Sequence, residues 1–466
     1  MAKAKIDLNR VAMPKQEAAE RRRNFDEVAL GYTAEEASRE AGRCIDCKAR
    51  NCVAGCPVAI DIPEFITAIK VGDLARAAGI MKKTNALPGI CGRVCPQESQ
   101  CEAVCTLAKK KAPVAIGRLE RYIADWGLEH QAETASTEKH SPTGKKVAII
   151  GSGPSGLTCA AELARLGHSV TIFESLHVAG GVLMYGIPEF RLPKSIVQTE
   201  INYVRSLGVD IALNAVAGKT FTIDELFADG FTAVFLGTGA GLPLFLNIEN
   251  ENAPGIYSAN EFLSRVNLMK AYRFPETDTP LKMGKDVAVV GGGNVAMDAA
   301  RCAVRLGAKV TVVYRRGREE MPARAEEIEN AEEEGIDFLF LTNPKSFQVN
   351  DQKWVSGMTC QKMTLGDPDA SGRRRPIPVE DSEFTLPIDM AIVALGTRPN
   401  PLIARSSPDL AFASKGTVVA DETTGLTKKT AVWAGGDIVT GSATVISAMG
   451  AGKAAAKDID IYLKSV

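Results

Sequence analysis

The sequence predicts an α/β protein in three parts. A cysteine-rich, α-helical N-terminal domain comes first, followed by two Rossmann-like dinucleotide-binding domains, the second inserted in the first. Three observations carry this. Eight of the eleven cysteines fall between Cys44 and Cys105. A strand, a glycine-rich turn and a helix occur in the same order twice, at about residue 146 and again near residue 286. The length of 466 residues, with 45% hydrophobic and 24% charged residues, suits about three ordinary globular domains.

The charge balance narrows the function. Lys plus Arg total 55 and Asp plus Glu 56, a net charge of -1. Nucleic-acid binding needs a strong basic footprint, so it is not expected. No apolar run reaches transmembrane length, and the charged N-terminus lacks a signal-peptide core, so a cytoplasmic protein without membrane contact is expected.

The first part is predicted to span 1–142. Helices are expected over roughly 15–30 and 115–129, and the polar stretch 131–145 reads as a linker. Between the helices lie Cys44-x2-Cys47-x4-Cys52-x3-Cys56-Pro and Cys91-x3-Cys95-Pro-x4-Cys101-x3-Cys105. Without a secretion signal, such crowding points to metal or cluster ligation rather than disulfides. Structural zinc usually wants paired C-x2–4-C knuckles and often His, and residues 1–129 contain no His. The first group resembles two-cluster ferredoxin runs, in which the last cysteine ligates the other cluster. That crossing places Cys44, Cys47 and Cys52 with Cys105 on one iron–sulfur cluster. Cys56 then joins the second group, where Cys91, Cys95 and Cys101 are candidates.

The apolar run KVAII, a strand of the kind buried on both faces, leads into Gly151-x-Gly153-Pro154-Ser155-Gly156 and a helix. The next strand ends in Glu174. The second unit repeats the order with Gly291, Gly293, Asn294, Val295 and Ala296, and its next strand ends in Arg315–Arg316. Gly151 to Glu174 spans 23 positions and Gly291 to Arg315 spans 24. One glycine fingerprint is weak evidence; two in matched context predict two dinucleotide domains. The C-terminal strand, Gly-Gly-Asp turn and helix most simply return to the first unit. The expected domains are therefore 143–282 with 400–466, and 283–399.

The strand ends predict the ligands. A carboxylate such as Glu174 accepts hydrogen bonds from a ribose diol and repels a 2′-phosphate. Guanidinium forks such as Arg315 and Arg316 match a phosphate. The second unit is thus expected to bind NADP(H), and FAD is the economical occupant of the first. Gly436 and Asp437 are expected near the flavin, with Thr444 and Val445 opening the last helix. Cys159, Cys302 and Cys360 read as core thiols, and the redox dithiol of a flavin disulfide reductase is missing. Lys109–Lys111 and Arg373–Arg375 read as solvated.

GSGPSGL, GGVLMYGIPEFRLPK, GGGNVAMD, YRRGREEMPAR, ALGTRPN and AGGD, following an eight-cysteine domain, make the chain similar to the small subunit of glutamate synthase and its relatives. Within that family, RNFDEVALGYT and CIDCKARNCVAGCPVAIDIPEFI most resemble the large subunit of the NADH-dependent reduced ferredoxin:NADP oxidoreductase. The resemblance implies FAD, NADP(H) and two [4Fe–4S] clusters. It also implies Glu120 in IGRLERY as the fourth ligand of the second cluster, beside Cys56, Cys95 and Cys101, with Cys91 the alternative. Gly181 and Arg191 in the matching segments join the flavin set, with Thr238 and Gly239 at the end of the strand FTAVFLGTGA, and Gly396 joins the NADP(H) set. The implied activity is hydride exchange between NADP(H) and FAD, with single electrons relayed to redox partner subunits. Those partners would be flavoproteins or iron–sulfur proteins linking to NAD(H) and ferredoxin in an electron-bifurcating transhydrogenase. The alternatives are the electron-input subunit of a glutamate synthase and a zinc-bearing scaffold.

Overall fold

The computed structural model describes residues 7–130, 141–370 and 372–466. The expected linker at 131–145 lies mostly outside the described residues. Two five-stranded parallel sheets organise most of the chain.

The first sheet runs Val432–Ala434, Ala233–Leu236, Lys146–Ile150, Ser169–Phe173, Asp210–Ala212 in space. All but the first residue of Lys146–Ile150 are buried, because helices or loops cover both faces. The C-terminal strand therefore pairs into the first unit, on the far side of everything inserted between. Its following helix, Val445–Ser465, lies against the helix Pro154–Arg165. The approach is so close that a Cβ on Gly452 would stand 2.2 Å from the Ser155 carbonyl oxygen.

The second sheet runs Ile256–Ser258, Met390–Val393, Asp286–Val290, Lys309–Val313, Asp337–Leu339. Sequence upstream of residue 283 thus contributes an edge strand to it. The helices Ala259–Leu263, Asn294–Arg305 and Ala325–Glu333 cover one face through Phe262, Met297 and Ile328. The other face carries an antiparallel sheet of Thr342–Val349, Val355–Pro368 and Arg374–Pro387, packed through Phe347, Met358 and Cys360. Cys159, Cys302 and Cys360 are all fully buried in these cores.

The N-terminal domain is helical: Ala34–Gly42, Ile62–Lys70, Leu74–Thr84, Pro88–Val94 and Ile116–Glu129. Its starts are written in the sequence. Thr33 and Glu36 form a capping box, and Asp61 and Asp73 accept from Glu64 N and Arg76 N. Its core is continuous with that of the first nucleotide unit, joining Ile90 and Leu119 to Leu157 and Met449. The helix expected over 15–30 does not form. Only Ala18–Arg21 is helical, and Lys15 bridges to Ala29 across a reversal of the chain. The reason is Arg21, which is 1% exposed and ion-paired to Glu334 of the second unit at 3.0 Å. A tertiary ion pair has overridden an amphipathic pattern.

Candidate redox site: two cysteine cavities and two nucleotide cradles

The eight cysteines do not gather in one place. Cys44, Cys47, Cys52 and Cys105 line one cavity, walled by Ile66, Leu107 and Val114. Cys56, Cys95, Cys101 and Glu120 line a second, with Ile60, Phe65 and Gln97. Ile62 and Ile116 form part of both walls, so the cavities are neighbours. The crossing of Cys56 and Cys105 between groups follows from the local backbone. Asp46 and Arg50 take left-handed φ values of 43° and 42°, which curls the first group, and the short helix Asn51–Ala54 carries the chain onward to Cys56.

The four thiols ring a space rather than converge on a point. Among the described residues, no three His, Cys, Asp or Glu side chains meet closely enough to hold a single ion. Four cysteines around one cavity supply the thiolate set that a 4Fe–4S cluster takes. Thr106 Oγ1 lies 3.3 Å from Cys47 Sγ and can donate to it.

Glu120 is 5% exposed, and Asn85 Nδ2 donates to its Oε1 at 3.0 Å. Among the described residues no Lys or Arg pairs with it, and burial pushes its carboxyl up to about 8. A buried carboxylate without a cation is unfavourable, so the position suits a metal-bearing group. Cys91 lines neither cavity. Its Sγ packs 3.4 Å from Met449 Sδ and 3.7 Å from Asn85 Oδ1.

The first glycine loop has the shape of a phosphate cradle. Gly151 has φ 102°, and a Cβ there would stand 2.5 Å from the Gly237 oxygen; one on Gly156 would stand 2.0 Å from the Gly151 oxygen. Gly153 caps the helix that begins at Pro154, and a Cβ on it would meet nothing within 4 Å. The loop is thus tight against protein on one side and open at the helix N-terminus, where an anion is favoured. Glu174 is 4% exposed and reaches back to the loop, accepting from Ser152 N at 3.0 Å and Leu176 N at 2.8 Å. Gly181 packs on Gly153, and Gly436 on Ser155. Asp437 accepts from Ala443 N at 3.2 Å, Thr444 caps the helix begun by Val445, and Thr238 and Gly239 follow the strand Ala233–Leu236. All lie at the carboxyl edge of one sheet, where such folds bind nucleotides.

Arg191 departs from the flavin set. It is buried across the junction with the second unit, donating to both Asp298 carboxylate oxygens at 2.7 Å, with Glu327 3.2 Å away. Two carboxylates hold it, so it ties units together rather than facing the first loop.

In the second loop Gly291 has φ 147°, and a Cβ there would be 2.4 Å from the Ala394 oxygen. Gly293 caps the helix Asn294–Arg305, and Ala296 is fully buried in the place of the third glycine. Asn294 Oδ1 accepts from Arg324 N at 2.9 Å, Val295 is exposed, and Gly396 has φ 114° in open space. The two arginines expected as a pair are separated. Arg315 is exposed, whereas Arg316 is 5% exposed and donates from Nε to the Arg374 carbonyl at 2.8 Å.

Asn85, Gln97 and Ile446 were not expected at the site. Each arrives by packing between distant segments, and nothing in cysteine or glycine spacing signals them. Ile446 matters most, because it belongs to the last helix of the first nucleotide unit yet lines the second cavity.

Comparisons with known proteins agree with this architecture. Residues 21–132 match the family described as dihydropyrimidine dehydrogenase domain II, 4Fe-4S cluster, and residues 145–452 match pyridine nucleotide-disulphide oxidoreductase. The glutamate synthase [NADPH] small chain of Escherichia coli K12 is 39% identical over 98% of both chains. The NADP(+)-dependent formate dehydrogenase subunit beta of Moorella thermoacetica is 41% identical over 89% of this chain and 60% of its own. Mycobacterium tuberculosis FprA in complex with NADPH superposes with a TM-score of 0.57 at 20% identity, covering 69% of this chain and 85% of that one. This last likeness shows the fold alone. No helix of the described residues is long and apolar enough to cross a membrane. The chain therefore belongs to the pyridine nucleotide-disulphide oxidoreductase family, in its glutamate synthase small-chain-like branch, and is an NADP(H)-dependent oxidoreductase with FAD and 4Fe–4S chemistry.

Proposed function

We propose that this chain exchanges hydride between NADP(H) and FAD and relays single electrons to partner subunits through two [4Fe–4S] clusters. When bound, the flavin supplies the conversion of a hydride into single electrons, and the clusters supply one-electron steps. The chain's part is to hold them. Cys44, Cys47, Cys52 and Cys105 hold the first cluster; Cys56, Cys95, Cys101 and Glu120 hold the second. The loops at Gly151 and Gly291 hold FAD and NADP(H).

One observation carries this reading. Ile446, two residues beyond Thr444 at the flavin unit's carboxyl edge, forms a wall of the second cavity, and that cavity shares Ile62 and Ile116 with the first. The flavin cradle and the two cavities therefore adjoin in series. The first cavity's cysteines are all partly exposed, which puts the outer end of the series near the surface.

Partner identity separates two finer readings. The segment-level resemblance favours an electron-bifurcating transhydrogenase acting on NAD(H), NADP(H) and ferredoxin. The end-to-end match to a glutamate synthase small chain favours electron input to an amidotransferase subunit. Anaerobic purification from the native source, with identification of co-purifying subunits, tests both. A flavoprotein partner with NAD(H)- and ferredoxin-linked turnover supports the first, and a glutamate-forming partner the second. An isolated chain rich in zinc and poor in iron overturns the whole proposal.

A further inference from the structure

The hairpin made by Val355–Pro368 and Arg374–Pro387 is longer than the strand beside it. Thr342–Val349 pairs with it only as far as Lys362, so Met363–Pro368 and its partners from Arg374 to Pro378 extend as a two-stranded arm. The base of the arm is fastened where the strand Lys309–Val313 ends. Met363 N donates to the Leu341 oxygen, and Leu341 N to the Arg316 oxygen. Arg316 closes the far side: its Nη2 donates to Asp369 Oδ2 at 2.5 Å and its Nε to the Arg374 carbonyl at 2.8 Å.

These bonds occupy the guanidinium that the sequence assigns to a phosphate. With 5% exposure and two of its nitrogens committed to the arm, Arg316 cannot also present a fork to a ligand. The arm brings a replacement. Arg374 is half exposed, and its Nε donates to Glu320 Oε1 at 2.8 Å. The other oxygen of Glu320 accepts from Gly317 N at 3.1 Å, two residues beyond Arg315. Arg374 is therefore tied through Glu320 to the turn that follows the strand, and that turn begins beside the exposed Arg315. Among the described residues, the terminal nitrogens of Arg374 and the whole Arg315 guanidinium have no partner.

We propose that Arg374, carried in by the hairpin arm, joins Arg315 in binding the 2′-phosphate of NADP(H), and that Arg316 is the positioning residue that fastens the arm. The inference rests on the assignment of the second unit to NADP(H). The acidic groups facing the site, Glu320 and Asp369, are each bonded to an arginine as described, so they orient the cations rather than leave free negative charge beside the phosphate. Phosphate binding by two forked cations is the geometry that guanidinium groups favour.

The test is direct titration of the full, flavin-loaded chain with NADP+, NAD+, 2′,5′-ADP and 5′-AMP. Arg374→Ala is expected to weaken NADP+ and 2′,5′-ADP by about tenfold, the scale of one charged contact, and to leave NAD+ and 5′-AMP unchanged. Asp369→Ala, which leaves Arg316 only its bond to the Arg374 carbonyl, is expected to move in the same direction by a smaller factor. Retained NAD+ binding and flavin absorbance show that each variant is folded. If Arg315→Ala weakens 2′,5′-ADP while Arg374→Ala does not, the inference is wrong and the NADP(H) assignment stands. If neither variant discriminates 2′,5′-ADP from 5′-AMP, the assignment itself fails.

Discussion

The two cysteine cavities each take one cysteine from the other's sequence group and differ in almost everything else. The first has four thiols, all partly exposed, on a loop region held by left-handed turns. The second has three thiols and a carboxylate, with Cys95, Cys101 and Glu120 buried, and one of its walls comes from a different domain. Ligand type and solvent exposure both tune cluster potentials. The contrast teaches that neighbouring cysteine cavities in one helical domain are differentiated by what packs on them. The inner one belongs structurally to the flavin unit, and the outer one to the surface.

The largest expected effect comes from removing the outer site. Cys47→Ser should abolish electron delivery to the partner by orders of magnitude while NADPH still bleaches the flavin in stopped flow, because both nucleotide loops lie beyond residue 145. Unchanged turnover in a variant confirmed to lack that cluster would sink the serial arrangement. The inner site should respond differently. Glu120→Ala is expected to lose one cluster by iron content, whereas Cys91→Ser keeps both, since the Cys91 thiol packs against Met449. Cluster loss in Cys91→Ser would reassign the fourth ligand.

A third contrast sets the buried junction beside the cavities. Glu334, fully buried, accepts from Arg301 at 2.7 Å, Arg305 at 2.6 Å and Arg21 at 3.0 Å. Burial alone would raise its carboxyl, but Arg301 and Arg305 hold it down at about 2. A depressed carboxyl contributes stability above its unfolded value, near 4.5, and loses it as pH falls toward 2. Glu334→Gln should therefore cost about 3–5 kcal/mol at neutral pH by denaturant unfolding. Its stability should also change less than the native chain's between those two pH values; an equal acid slope would contradict the assignment. The smallest effect is expected at Arg315, where Ser should weaken NADPH by about tenfold without touching NADH-driven bleaching.

Much of this was legible in the sequence, for physical reasons. Glycine loops are legible because only glycine fits where Gly151 and Gly156 meet backbone oxygens. The grouping of Cys105 with Cys44, Cys47 and Cys52 around one cavity is legible because ferredoxin-like runs send their last cysteine to the other group. Glu120 came from family resemblance, not from spacing. What stayed hidden depends on non-local packing. The antiparallel sheet of 342–387 carries no glycine fingerprint, and its one cysteine, Cys360, is a buried core thiol. Arg191 and Arg316 have the right residue type for a ligand, but carboxylates brought from elsewhere, Asp298, Glu327 and Asp369, claim them first. The helix lost at 15–30 has the same cause in Arg21.

The central claim is that the two cavities are two cluster sites. Iron and acid-labile sulfide per flavin, measured on the anaerobically purified chain together with low-temperature electron paramagnetic resonance of the reduced protein, test it most directly. The account predicts about eight of each, as two 4Fe–4S clusters require, and two distinguishable signals. About four of each with one signal, or stoichiometric zinc in either cavity, would contradict it.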